Sequence, residues 1–231
     1  MFTKKANGSD GDPVYDLICG GELGPGILPA DVALYLLGQV GRGTLSGGLV
    51  RFSGAALGGV CELEEKLFAE VAAAMGADGN ELSADTEPGV TAVVEYDLTR
   101  LEPQVWDGES VLPVADSERP FVSVGYLGEM GKAALDAVKH ILSGREVYYD
   151  CILYGLSAEF ADELGLGGDR RPGPPEPVDA EFAAAVTTFS AARRLTDANV
   201  KVYIVSAATV SASMLTGRLE DSARLFKKTG R

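Results

Sequence analysis

The sequence predicts an α/β domain: a mixed, mainly parallel sheet of at least five strands with helices packed on its faces. Two observations carry this. Short apolar runs closed by glycine or proline recur along the chain and read as strands. Between several of them lie stretches with apolar residues at helical spacing, and strand, amphipathic helix and strand in close succession favour parallel crossovers over a sandwich. The 231 residues, 46% of them hydrophobic, are enough for one domain with a sizeable core. The expected organisation is a flexible segment over residues 1–12 and a single α/β domain over 13–231.

The first expected strand covers residues 14–19, where Tyr15, Leu17 and Cys19 alternate with Val14, Asp16 and Ile18 before glycines break the run. A helix follows Pro29-Ala30-Asp31, with Val32, Leu36, Leu37 and Val40 on one side. Residues 45–60, rich in small side chains around Leu49, Val50 and Phe52, read as a strand or a tight hairpin bending at Gly47-Gly48. Residues 62–75 carry the strongest helix pattern, from Leu63, Leu67, Val71 and Ala74, with Gly76 as the stop. A polar connection over 77–89 leads to a strand over 90–98. Residues 100–120 show little periodicity and read as a surface excursion, long enough in a compact domain to mark either function or a hidden element.

Residues 121–126 read as a buried strand, 129–142 as a helix with Ala133, Ala137, Val138 and Ile141 on one side, and 147–154 as the next strand. A short helix over 159–164 and a loop over 165–177 follow. Asp179 can cap a helix that Phe182, Val186 and Phe189 would continue. Residues 200–205 give the last strand. A small, polar stretch over 206–213 then precedes a C-terminal helix marked by Leu215, Leu219 and Phe226.

The formal charge of −14 is spread along the chain and argues against DNA or RNA as a partner, because phosphate backbones need clustered Lys and Arg. Cys19, Cys61 and Cys151 are too few and too dispersed for a disulfide framework or a thiolate metal motif, so a cytoplasmic protein with reduced cysteines is expected. No export signal is expected at the start, and no run of eighteen apolar residues offers a membrane span.

The richest local signal is glycine: twelve of the forty residues from Gly20 to Gly59, opening with Gly20-Gly21-Glu22-Leu23-Gly24-Pro25-Gly26 directly after the first strand. Glycine lets backbone reach positive φ or approach another group closely. Loop amides at the carboxyl end of a parallel strand also suit a polar or anionic ligand. The candidate ligand-binding residues are therefore Gly20, Gly21, Glu22, Gly24, Gly26 and Asp97, in a pocket also framed by strand ends near Gly125 and Tyr154. The segment lacks both GxGxxG and GxxxxGK[ST], so no phosphate loop is assigned to it and no cofactor follows. Glu22 is a candidate base or ligand carboxylate, against the plainer reading of a solvated acid. Glu95 and Asp97 share one side of a strand and form a possible carboxylate pair, with solvent-facing alternation as the alternative.

Other chemistry is weakly supported. A nucleophilic Cys19 would need a base, and the chain's one histidine, His140, sits at the edge of a helix face with no motif joining the two. Asp136 and His140 are one helical turn apart but do not form HExxH, so no metal site is assigned. Ser157 lacks the G-x-S-x-G elbow. The expected function is binding or transformation of a small polar molecule, with homo-oligomerisation expected. The alternative is a shell or capsid-like structural protein in which the glycines serve subunit packing.

Overall fold

The computed structural model describes residues 14–41, 49–52, 92–175, 183–196 and 198–227. The helix expected over 62–75, the connection over 77–89 and the segment 1–12 lie outside them. The chain forms an α/β fold with a seven-stranded, mostly parallel sheet surrounded by helices, together with a three-stranded parallel sheet.

In chain order the small sheet takes β1 (Val14–Gly20), β2 (Leu49–Phe52) and β3 (Ala92–Asp97), with β1 central and α1 (Pro29–Gly41) following it. The large sheet takes β4 (Gln104–Trp106), β5 (Val111–Pro113), β6 (Val122–Tyr126), β7 (Ile152–Tyr154), β8 (Asp169–Arg171), β9 (Ala183–Val186) and β10 (Val202–Val205). Its helices are α2 (Lys132–Leu142), α3 (Ala158–Glu163), α4 (Phe189–Thr196), α5 (Ala207–Thr216) and α6 (Ala223–Lys227).

The spatial order is β5-β4-β10-β9-β6-β7-β8, with β4 antiparallel to both its neighbours, β10 and β5, and the strands from β10 to β8 parallel. From β6 the chain steps outward through α2 to β7 and through α3 to β8. It then returns to the other side of β6 as β9 and steps the opposite way through α4 to β10. The direction of winding therefore reverses between β6 and β9.

The two faces of this sheet bury different helices. Leu36 and Leu37 of α1 and Ala191, Ala192 and Leu195 of α4 cluster with Val124, Tyr154, Ala184, Val186 and Ile204. On the opposite face, Val138, Ile141 and Leu142 of α2 and Ala208 and Met214 of α5 cluster with Val122, Leu153, Ala185, Tyr203 and Val205. Val122 and Val124 fall in different clusters although residues two apart in a strand normally share a face. The cause is a bulge: Val122 pairs with Ala183 and Val124 with Ala184, so one extra residue of β6 flips the alternation.

The strand expected over 147–154 spans only Ile152–Tyr154, the C-terminal helix expected through Leu215, Leu219 and Phe226 is split between α5 and α6, and four further stretches differ from the sequence expectation. The helix expected from Asp179 through Phe182 begins outside the described residues, and where it would pass through Val186 the chain is strand β9 from Ala183. Its four residues are all buried, and its neighbours β6 and β10 supply the pairing that overrides the helix preference of Ala183-Ala184-Ala185. The 100–120 stretch contains the β4–β5 hairpin, turning through Asp107, whose Oδ1 accepts from the Glu109 and Ser110 amides, and Gly108 at φ +103°. The expected loop over 165–177 contains β8. The small, polar 206–213 stretch is a buried helix, α5, capped by Ser206 and ended by Gly217 at φ +70°. Ser211 and Ser213 donate their hydroxyl protons to the carbonyls one turn back, at 2.8 and 2.7 Å, which is how hydroxyls are tolerated in that core.

Candidate functional site

Of the residues singled out by sequence, Gly20, Gly21 and Asp97 come together. Gly20 and Asp97 are register partners at the carboxyl ends of β1 and β3. Gly21 adopts φ +93°, and a Cβ there would lie 2.5 Å from Thr99 Oγ1 and 2.8 Å from Asp97 Oδ1, so only glycine fits. Asp97 Oδ1 accepts from the Thr99 amide at 2.9 Å. The Thr99 hydroxyl, and after it that amide, hold the Asp97 carboxyl below the usual range. Glu22 is exposed beside this strand end. Gly24 accepts from the Ile27 amide in a turn. Gly26 is buried against the C-terminal helix: its carbonyl accepts from Ser222 Oγ at 3.2 Å, and a Cβ there would meet Phe226 at 2.7 Å.

The framing residues Gly125 and Tyr154 belong to the large sheet. A Cβ on Gly125 would lie 2.5 Å from Met214 Sδ, so this glycine lets α5 settle onto β6. Tyr154 ends β7 with its side chain buried. His140 stacks on Phe226 with ring centroids 4.5 Å apart. Cys151 donates to the Val122 carbonyl at 3.1 Å, and burial pushes its thiol up to about 11. Among the described residues, no three His, Cys, Asp or Glu side chains converge as metal ligands.

A second locus appears where the winding reverses. Open parallel sheets bind ligands in the crevice at the carboxyl ends of the strands flanking such a point. Here the β6–α2 turn passes through Leu127, Gly128, Glu129, Met130 and Gly131, and Gly131 caps α2 without any side-chain hydrogen bond to the first turn. Gly128 donates its amide to Thr187 Oγ1, at 2.9 Å, from the β9–α4 connection, and a Cβ on Gly128 would lie 2.7 Å from Thr188 Cγ2. On the other side Leu127 donates to the Tyr154 carbonyl at 3.0 Å, and Gly155 donates to the Arg171 carbonyl at 3.1 Å. Gly155, at φ +94°, would place a Cβ 1.8 Å from the Leu127 carbonyl oxygen. Backbone bonds thus run from the turn to the end of β7 and from there to the end of β8, and the Thr187 hydroxyl ties the β9 end to the turn. Glu129 and Lys132 are exposed on it.

Sequence reasoning passed over this turn although it left a trace. Gly125, Gly128 and Gly131 form G-x-x-G-x-x-G between a strand and a helix. The spacing departs from GxGxxG because Tyr126 stands where the first glycine of that pattern would fall, and the run at Gly20 to Gly26 is denser in glycine.

Across the reversal, the end of β10 is closed. Asp31, in the first turn of α1, is fully buried and accepts from the Leu28 amide at 2.9 Å and the Gln104 amide at 3.0 Å. The Ser206 hydroxyl, directly after β10, acts in the same direction as these amides on the Asp31 carboxyl, lowering it. Hydroxyl contacts continue from Ser206 through Thr209 and Ser222 to the Gly26 carbonyl. Burial pushes the Asp31 carboxyl up to about 7, against the lowering effect of its hydrogen bonds.

No protein-family model and no curated protein matches this sequence. Among the described residues, no helix is long and apolar enough to cross a membrane.

Proposed function

We propose that the protein binds an adenine dinucleotide through its ADP half at the β6–α2 turn, which gives a chemical class to the small polar ligand expected from the sequence. The observation that carries this reading is the Leu127 to Gly131 turn, with glycine at 128 and 131, at the point of reversed winding, feeding an eleven-residue helix whose first amides have no capping side chain. Helix N-terminal amides and the helix dipole favour a pyrophosphate there. Lys132, exposed at the first position of α2, adds a cation, while the exposed Glu129 can turn to solvent. The turn departs from the usual fingerprint: Gly131 is the cap rather than part of the first turn, and the Gly128 amide is engaged by Thr187.

Titration with ADP, followed by amide chemical shifts, tests the reading. The largest changes are expected at residues 128–134. Saturation elsewhere on the chain, or no change at millimolar ADP, would refute it.

A second reading is favoured by the contact of Gly21 with Asp97, which sets an anchored, ionised carboxylate beside the exposed Glu22 at the end of the small sheet. That end suits a ligand amine or hydroxyl. Calorimetry on Glu22→Gln should show weakened binding of a cationic or polyhydroxy ligand with an unchanged far-UV spectrum, and unchanged affinity removes Glu22 from the site.

A further inference from the structure

We infer that Arg171, lying beside Tyr154, selects a dinucleotide carrying a phosphate on the 2′ oxygen of its adenosine ribose. This rests on the ADP-binding reading above and adds the identity of the ligand. In an open sheet of this winding the adenosine ribose lies over the end of the strand that follows the glycine turn and its helix, here β7. A carboxylate at that place reads a free 2′-hydroxyl, whereas an arginine accommodates a 2′-phosphate.

Strand β7 ends in Tyr154-Gly155-Leu156-Ser157, with no carboxylate. The nearest acid in sequence is Glu159, exposed in the first turn of α3. What stands at the strand end is Arg171, the last residue of β8 and the register partner of Tyr154. Its guanidinium carbon is 5.8 Å from the Tyr154 ring centre, and Nη1 is 3.4 Å from the tyrosine hydroxyl. The backbone bonds from Leu127 to Tyr154 and from Gly155 to Arg171 hold this cation at a fixed offset from the glycine turn. Two strand spacings separate β6 from β8, about 10 Å, within reach of one nucleotide unit and an arginine side chain.

The local charges leave Arg171 available. Its neighbour Arg170 is committed to Asp162 at 2.7 Å and to the Leu166 carbonyl. Among the described residues, the carboxylate that Arg171 meets, besides its contact with Tyr154, is Asp169, at 3.4 Å, with both side chains of the pair close to half exposed. Such a long, solvated pair is worth little and yields to a dianionic phosphate that the guanidinium fork can grip with two parallel hydrogen bonds. Ser157 already accepts from the Phe160 amide as the cap of α3, and its hydroxyl proton remains for a phosphate oxygen.

Calorimetric titration of the full chain with NAD+ and NADP+ tests the inference. The wild-type protein should bind NADP+ at least about tenfold more tightly, the size expected for one charge-assisted contact. Arg171→Ala should lose that preference while keeping its affinity for NAD+, and Arg171→Lys should retain part of it. Equal binding of the two ligands, tighter binding of NAD+, or a preference that survives in Arg171→Ala would overturn the role of Arg171 and leave the dinucleotide site standing. Failure of the wild-type chain to bind either ligand, or ADP, at millimolar concentration would instead overturn the site itself. The wild-type comparison needs no variant to fold, and far-UV spectra of both variants show whether their results can be compared with it.

Discussion

Asp31→Asn should change how stability depends on pH. In the fold, burial keeps the Asp31 proton to about pH 7, whereas an ordinary aspartate loses it near 3.8. Between those values the unfolded chain releases a proton that the folded chain retains, so the folded state loses roughly 1.4 kcal/mol for each pH unit as pH rises. The stabilisation is full below 3.8 and gone above about 7. From pH 5 to pH 8 the wild-type protein should therefore lose about 3 kcal/mol relative to a variant whose residue 31 does not titrate. Asparagine carries its own penalty, since its oxygen can accept from only one of the Leu28 and Gln104 amides and its NH2 faces the other, at about 1–3 kcal/mol. That penalty shows in full only below 3.8; about 1.7 kcal/mol of the wild-type advantage is already gone at pH 5, and by pH 8 the variant is the more stable of the two. Urea unfolding of both proteins across that range measures the difference directly, and titrations common to both cancel. A gap that stays constant from pH 5 to pH 8 would refute the raised carboxyl.

Two further substitutions or probes test the packing around the sheet. Gly155→Ala should lower stability by roughly 3 kcal/mol or more, because a methyl would overlap the Leu127 carbonyl in a backbone conformation that L residues rarely adopt; a denaturation midpoint close to wild type would show that this strand end relaxes. Cys151 should resist an aqueous thiol reagent at pH 8 in the folded protein and react on unfolding, given its burial and raised pKa. Peptide mapping identifies the site, and native labelling of Cys151 at the rate of a free thiol would contradict the buried placement.

Legibility in the sequence followed the strength of local pattern. The strand at 121–126 and the helix at 129–142 were readable because an apolar run ends at glycine and a clean apolar face ends at Ser143-Gly144. Strand β9 was not, since a strand buried on both faces shows no alternation and its alanines carry an intrinsic preference for helix. The β4–β5 hairpin left only the dipeptide Asp107-Gly108, flanked by strands of three residues each. Asp31 was visible at a helix start, but its burial depends on Gln104, 73 residues later, and on Ser206, which no local window contains. The glycine count favoured Gly20 to Gly26. Gly26 of that run serves packing against Phe226, whereas the sparser Gly125, Gly128 and Gly131 sit where the topology reverses, a property of strand order rather than of composition.

The two sides of that reversal are unequal, and this fixes how much of a dinucleotide the protein should hold. Toward β7 and β8 the strand ends carry the exposed Arg171 and the accessible Gly128 to Ala133 stretch. Toward β10 the corresponding position is Ser206, fully buried under Asp31 and linked through Thr209 and Ser222 to Gly26. A ligand seated on the glycine turn can spread over β7 and β8, while its second half meets Thr187 and Thr188 before the covered end of β10. The ADP half should therefore supply most of the affinity. Calorimetry with ADP and NAD+ should give dissociation constants within about tenfold of each other, a difference of about 1.4 kcal/mol. A much larger gain from the second half would require the contacts among Asp31, Ser206 and Ser222 to open on binding. In that event Ser222→Ala, which loosens them at a cost of about 1 kcal/mol, should tighten NAD+ binding without altering that of ADP; a large gain for NAD+ that Ser222→Ala leaves unchanged would refute the closed end of β10 as the barrier.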